Sequence, residues 1–259
     1  MYVDAHIHLY AEEFQDNVEE VLSNASKEDV DIILSVSEDS QSALKNLEIL
    51  NTYRTKYKLY VGIGIHPYTS IYNSEDLDKV VDLIAQHHDS IICIGEVGLD
   101  RKYKDSMKMW DKQVDAFTAM IHLSKEYLKP LNIHSRRAAR DVLSLLYRND
   151  VSEAYFHWYT DDEDTLREII ELDYLVGFTP ALLTSKRIQR FTSIVPLTHV
   201  LTESDGPVTY YGPLDNNPGE PKHVKLIINK LAELYEEDPV EVTIMVRENF
   251  KRLFRIQYG

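Results

Sequence analysis

Short runs of consecutive apolar residues alternate along this chain with longer stretches in which apolar positions recur every three or four residues. The short runs lie at 2–5, 30–36, 59–65, 91–95, 130–134, 153–157, 174–178 and 199–202. Most lack the in-out alternation of a half-exposed strand and read as strands buried on both faces. The fifth opens on Pro130, which can begin a strand but cannot donate within one. Helical periodicity predicts helices over 17–26, 40–56, 74–88, 107–128, 136–147, 162–172 and 185–194, with two more over 221–235 and 239–253. Strand then helix, eight times over, with connections too long for hairpins, implies a parallel sheet. Eight such units in 259 residues suit one (β/α)8 barrel, a single α/β domain over 1–259.

Composition narrows this reading. A hydrophobic share of 44% and a charged share of 27% are ordinary for a water-soluble domain large enough to need no disulfide. The single cysteine, Cys93, sits in an apolar run, where a small buried role is expected, and one cysteine fits a reducing compartment. No basic-then-apolar leader and no run of membrane length is present, so a cytoplasmic protein without a membrane partner is expected. The net charge of −15 argues against a broad basic surface that coats nucleic acid. Bound divalent ions would still concentrate positive charge at one place.

Barrel enzymes carry their chemistry at the C-terminal ends of their strands. In the first run, Asp4-Ala5-His6-Ile7-His8 puts two imidazoles on one face of an extended backbone. The third run is followed by His66, and the fourth leads into Gly95-Glu96-Val97-Gly98-Leu99-Asp100. The fifth ends at His134, the sixth at His157, and the eighth is followed by Glu203-Ser204-Asp205. Each has a plainer reading alone: Glu96 as a salt-bridged acid, His134 and His157 as hydrogen-bonded barrel histidines, Asp205 as a turn residue before Gly206-Pro207. Together they form a ligand set. Glu203, one layer below Asp205, reads as a support.

Imidazoles with carboxylates and no second thiolate suit zinc, manganese or magnesium. Glu96 could bridge two divalent ions, one held by His6, His8, Glu96 and Asp205, the other by Glu96, His134 and His157. Two such ions clamp the attacking and leaving oxygens of a phosphodiester and activate a water. Asp205 is then the expected general base, and with Glu96 it carries the catalytic role.

These residues resemble the TatD family of metal-dependent deoxyribonucleases, a branch of the amidohydrolase-type barrels. The resemblance rests on Asp4-Ala5-His6-Ile7-His8, Gly64-Ile65-His66-Pro67, Gly95-Glu96-Val97-Gly98-Leu99-Asp100, His134-Ser135-Arg136, Phe156-His157 and Thr202-Glu203-Ser204-Asp205-Gly206-Pro207. Asn217-Pro218-Gly219-Glu220-Pro221 and Glu248-Asn249-Phe250 extend it. It implies a phosphodiesterase that removes nucleotides from DNA, from a 3′ end, with His66 and Arg136 as phosphate contacts.

The chain departs from the family pattern at three places. Ser204 stands where Glu-Thr-Asp is usual, Arg101-Lys102-Tyr103-Lys104 where aromatic residues are common, and Trp158-Tyr159 where smaller residues are common. The basic cluster at 101–104 and the rings of Trp158, Tyr159, Tyr210 and Tyr211 could hold unpaired bases, in which case single-stranded or frayed ends are expected to be preferred, or simply pack the loops together. The long loop from Gly206 to Pro221, with four prolines and three glycines, is expected over the barrel mouth. The competing reading is an amidohydrolase-type barrel acting on a small-molecule amide or ester. Such barrels often place a modified lysine on strand four, whereas this chain has Glu96.

Overall fold

All eight apolar runs form strands, and they lie side by side in chain order with every ladder parallel. The computed structural model describes residues 1–212 and 214–256. Pro213, in the long loop after the eighth strand, and residues 257–259 of the expected domain lie outside the described residues.

The strands are β1 (Tyr2–Ile7), β2 (Val30–Val36), β3 (Lys58–Ile63), β4 (Cys93–Gly98), β5 (Leu131–His134), β6 (Ala154–Phe156), β7 (Leu175–Phe178) and β8 (Val200–Thr202). Every residue of β4 is buried, as a parallel strand with helices outside and packed side chains inside requires. Just past β8 the ring is completed against β1. Asp205 N–H donates to His6 O at 2.9 Å, and His8 N–H donates to Gly206 O at 2.8 Å. The seam of the barrel therefore joins the first and last of the expected ligand segments.

The helices are α1 (Val18–Lys27), α2 (Ser40–Tyr53), α3 (Pro67–Tyr72), α4 (Asp76–His87), α5 (Trp110–Glu126), α6 (Ala139–Arg148), α7 (Glu163–Glu171), α8 (Lys186–Phe191), α9 (Val224–Tyr235) and α10 (Pro239–Phe254). Each long helix turns an apolar stripe inward, for instance Val142, Leu143 and Leu146 on α6. Helix α10 packs on β1 and β8, and its buried Asn249 donates to the carbonyls of Leu197 and Val200 at 2.8 and 2.9 Å. The conspicuous Glu248-Asn249-Phe250 segment is thus a clasp on β8.

Boundaries shift where local chemistry overrides periodicity. Helix α6 starts at Ala139 rather than at 136, because Arg137 adopts φ +58° and breaks the turn before it. Strand β4 runs on through Glu96 to Gly98, paired with Ile133 and His134, so Glu96 lies within the strand. Helix α3, invisible to a periodicity argument at six residues, is started by Pro67 at its first position and by His66, whose Nδ1 accepts from Tyr68 N–H at 3.0 Å. Among the described residues no helix is long and apolar enough to cross a membrane.

Candidate metal centre and active site

Four donor atoms converge at the top of the barrel. His6 Nε2 and His8 Nε2 lie 3.3 Å apart, each is 3.5 Å from Glu96 Oε2, and they stand 3.5 and 3.6 Å from Asp205 Oδ1. Tetrahedral ligands at the usual metal distances of roughly 2.0–2.2 Å sit about 3.3–3.6 Å from one another, so the two imidazoles stand from each other and from each carboxylate as a divalent ion needs them. Glu96 turns its other oxygen to a second group. Oε1 is 2.7 Å from His134 Nδ1, 2.8 Å from His157 Nε2 and 3.6 Å from His66 Nε2. This second cluster is tighter, drawn together by hydrogen bonds. His157 also stacks on His6, with ring centroids 3.9 Å apart, and so touches both groups.

A second polar layer lies beneath, set by the period of two along each strand. Two residues before His6, His134, His157 and Asp205 stand Asp4, Asn132, Tyr155 and Glu203, all buried. Asn132 Oδ1 lies 2.9 Å from His6 Nδ1, and Asp4 Oδ1 accepts from Ser204 N–H at 2.8 Å. Glu203 accepts from the Tyr155 hydroxyl and from Trp158 N–H, and lies 3.9 Å from His157 Nδ1. Its hydrogen bonds therefore go to Tyr155 and to the Trp158 backbone, and His157 Nδ1 has no hydrogen-bond partner among the described residues. A polar residue two places before His6, His134 and His157, in otherwise apolar strands, is the sequence signal that would have found Asp4, Asn132 and Tyr155.

The far nitrogens decide which ring atom faces inward. His6 Nδ1 meets the Asn132 carbonyl, His8 Nδ1 meets Val36 O at 3.3 Å, and His134 Nε2 meets Asp100 Oδ2 at 2.7 Å. Each partner is an acceptor, so in its neutral form each ring keeps its proton on that side and turns a lone pair into the centre, where a bound ion would take it. His66 is the opposite case. Its Nδ1 accepts from Tyr68 N–H, so in the neutral ring the proton is on Nε2, which points at Glu96 and His134. His66 is thereby a donor in the cleft.

Electrostatics follow this layout. Burial pulls the His8 ring down, but Asp205, Glu38 and Glu96 outweigh it and carry it up to about 10. For His134 burial is likewise outweighed, by Asp100 and Glu96, which raise it to about 9. Burial pushes His66 down to about 4, keeping it neutral. Burial opposes ionisation of Glu96, yet the His157 and His66 rings hold its carboxyl well below the usual range. In the layer beneath, burial raises Glu203 to about 8 and Asp4 to about 7.

A model of the family described as TatD related DNase matches residues 3–255. The chain belongs to the TatD family. An uncharacterized metal-dependent hydrolase of Methanocaldococcus jannaschii is 30% identical to it over 254 residues, 98% of this chain and 97% of that protein. Deoxyribonuclease TATDN3 of Homo sapiens is 26% identical over 261 residues, covering 97% of this chain and 94% of its own. The solved structure of YjjV, a TatD homolog from Escherichia coli, superposes with a TM-score of 0.90 at 21% identity, covering 99% of this chain and 98% of its own, and so shares the fold. As a TatD protein this is a metal-dependent hydrolase.

In this TatD chain the paired clusters form the floor of a cleft of about 370 Å³, lined also by Glu38, Lys102, Tyr103, Arg136, Trp158 and Thr160. Arg136 Nε donates to Asp100 Oδ2 at 2.7 Å, and its guanidinium lies over the Tyr103 ring. Glu38, bonded to the Tyr10 hydroxyl at 2.5 Å, gave no signal in the sequence, because it sits two residues past β2. The loop residues divide. Tyr159 and Tyr210 are buried and pack the loops, and Arg101 is held bidentate by Asp141 at 2.9 and 3.0 Å. Lys102 and Lys104 are exposed, as is Tyr211. Cys93 is buried behind Gly62, far from a ligand role.

Proposed function

We propose that this protein is a metal-dependent deoxyribonuclease that removes nucleotides from the 3′ end of single-stranded or frayed DNA. The observation that carries the reading is the division of one carboxylate, Glu96, between two imidazole groups on the floor of an open cleft. His6, His8, Glu96 and Asp205 would hold one divalent ion, and Glu96, His134 and His157 a second, the ions being magnesium, manganese or zinc. Bound there, the pair supplies Lewis acidity at the phosphoryl oxygens and lowers the pKa of the attacking water.

The chain's own groups do the rest. Asp205, held ionised by its histidine neighbours against the cost of burial, orients the water and takes its proton as the new P–O bond forms. The P–O bond to the leaving sugar oxygen then breaks, and that oxygen gains a proton from solvent. His66 Nε2–H and the Arg136 guanidinium donate to the phosphate oxygens. Asp100 keeps both Arg136 and His134 in place. With a net charge of −15 the molecule as a whole repels a polyanion, so attraction depends on the cationic groups at and beside this cleft, which favours strand ends over long stretches of duplex. The name deoxyribonuclease on the human relative supports DNA as the substrate class.

The test is hydrolysis of an end-labelled single-stranded oligonucleotide in EDTA, Mg²⁺ or Mn²⁺. The reading predicts metal-dependent shortening from the 3′ end, slowed by about 10²–10⁴ in Asp205→Asn. Intact DNA under every metal contradicts it and moves the small-molecule hydrolase to the front.

A further inference from the structure

An aromatic path leaves the cleft on one side. His66, on its floor, faces the edge of Tyr103, with ring centroids 6.0 Å apart. Tyr103 meets Tyr68 at 5.1 Å, and Tyr68 meets Tyr72 at 4.6 Å. Tyr68 and Tyr72 are four residues apart on α3 and so share one helix face. The path crosses between two loops that are tied together, since the Tyr72 hydroxyl donates to Asp105 at 3.3 Å and Lys112 Nζ to Ser74 Oγ at 3.2 Å.

Two features distinguish these rings from packing aromatics. Tyr68 is 50% exposed and Tyr72 48%, whereas Tyr159, which does pack a loop, is 1% exposed. Half-exposed large rings in a row leave apolar faces in water unless something covers them. The charge beside them also runs against the molecule as a whole. Residues 101–109 carry four cations and one acid in a chain of net charge −15, and Lys102, Lys104 and Lys108 are exposed. Aromatic faces interleaved with cations and continuous with a phosphodiester site match one partner chemistry, an unpaired nucleic-acid strand.

We propose that Tyr103, Tyr68 and Tyr72 form a stacking track for successive unpaired bases of the strand that leads to the scissile phosphate. The proposal rests on the phosphodiesterase reading and goes beyond it, assigning the strand's path and the residues that set the preference for unpaired ends. Tyr103, fixed beneath the Arg136 guanidinium at 4.8 Å, takes the base nearest the metals. Tyr68 and Tyr72 take the next bases outward, and Lys102 and Lys104 stand beside the phosphates. A paired base cannot offer its face to these rings, so an intact duplex gains nothing from the track.

The experiment measures binding of a hydrolysis-resistant, phosphorothioate-linked octathymidylate by fluorescence anisotropy in Mg²⁺. The proteins are wild type, the double variant Tyr68→Ala/Tyr72→Ala and the double variant Tyr68→Phe/Tyr72→Phe. Loss of two stacked bases raises Kd by at least about tenfold in the alanine variant. The phenylalanine variant keeps wild-type Kd, because the ring and not the hydroxyl does the stacking. Equal Kd for wild type and the alanine variant, equal weakening in both variants, or no binding by wild type overturns the track. Hydrolysis of bis(p-nitrophenyl) phosphate, too small to reach Tyr68, decides the phosphodiesterase reading separately. Turnover of that diester with no change in oligonucleotide Kd rejects the track alone.

Discussion

Asp100 Oδ2 lies 2.7 Å from His134 Nε2 and thereby sets which nitrogen of His134 looks at Glu96. The same oxygen accepts from Arg136 Nε at 2.7 Å, so one buried carboxylate orients a proposed metal ligand and a proposed phosphate contact. Burial opposes its ionisation, but His134, Lys102 and Arg136 together hold it down to about 2.

Asp100→Asn keeps the shape and removes the charge. Its amide can present a donor to His134 Nε2, which favours the wrong tautomer and takes the lone pair away from the centre. Metal affinity or activity is expected to fall about 10–100-fold, the usual cost of losing a partner behind a ligand. Metal titration followed by calorimetry checks this, with circular dichroism verifying that the barrel is intact.

Glu96 gives one carboxylate oxygen to each of the two groups of donor atoms. Glu96→Gln removes the bridging charge while leaving the side chain's volume. Metal content per chain is expected to drop by at least one ion, and the rate of diester hydrolysis by at least about a hundredfold, equivalent to several kcal/mol of lost charge stabilisation. Elemental analysis after gel filtration reads the first quantity and initial rates read the second.

Gly98 has φ +143°, and a Cβ built on it would lie 2.0 Å from His134 O. Both the backbone conformation and the approach of β5 exclude a side chain there. Gly98→Ala should cost about 3 kcal/mol or more, seen as a lower urea midpoint at an unchanged slope. Because the clash is with the backbone of His134, diester hydrolysis should fall along with stability.

Asp162 caps α7, accepting from Thr165 N–H at 2.8 Å and from the Thr165 hydroxyl at 2.9 Å. The backbone hydrogen bond from Thr165 is the main reason its carboxyl lies below the ordinary value. A carboxyl lowered in the folded state contributes stability above its unfolded pKa of about 3.9 and loses it as pH falls through the folded value. Asp162→Ala is therefore expected to cost about 1 kcal/mol at neutral pH, with the gap narrowing below about pH 3.9. Thermal melts of both proteins at pH 7 and pH 3 check the sign.

How much of this was legible in the sequence depended on the range of the interaction. The strands showed as apolar runs, and His6, His8, Glu96, His134, His157 and Asp205 showed because barrel geometry brings strand ends together. Their partners did not, since Asn132 reaches His6 across 126 residues and Asp141 pins Arg101 across 40. No local pattern announces such pairs. The loop aromatics failed for a related reason. Tyr159 and Tyr68 are both tyrosines near the mouth, and only packing separates the one closed against Phe191 from the one left half in water. The motif at His66 was legible, but its role as a donor depended on Tyr68 N–H, which requires the short helix α3.

The most direct test of the account is diffraction from crystals soaked in Mn²⁺, recorded near the manganese absorption edge. The account predicts two anomalous peaks, one bounded by His6, His8, Asp205 and Glu96 Oε2, the other by His134, His157 and Glu96 Oε1. A single peak on the His6 side, or a second peak that does not touch Glu96, would contradict the bridged centre on which the proposed chemistry depends.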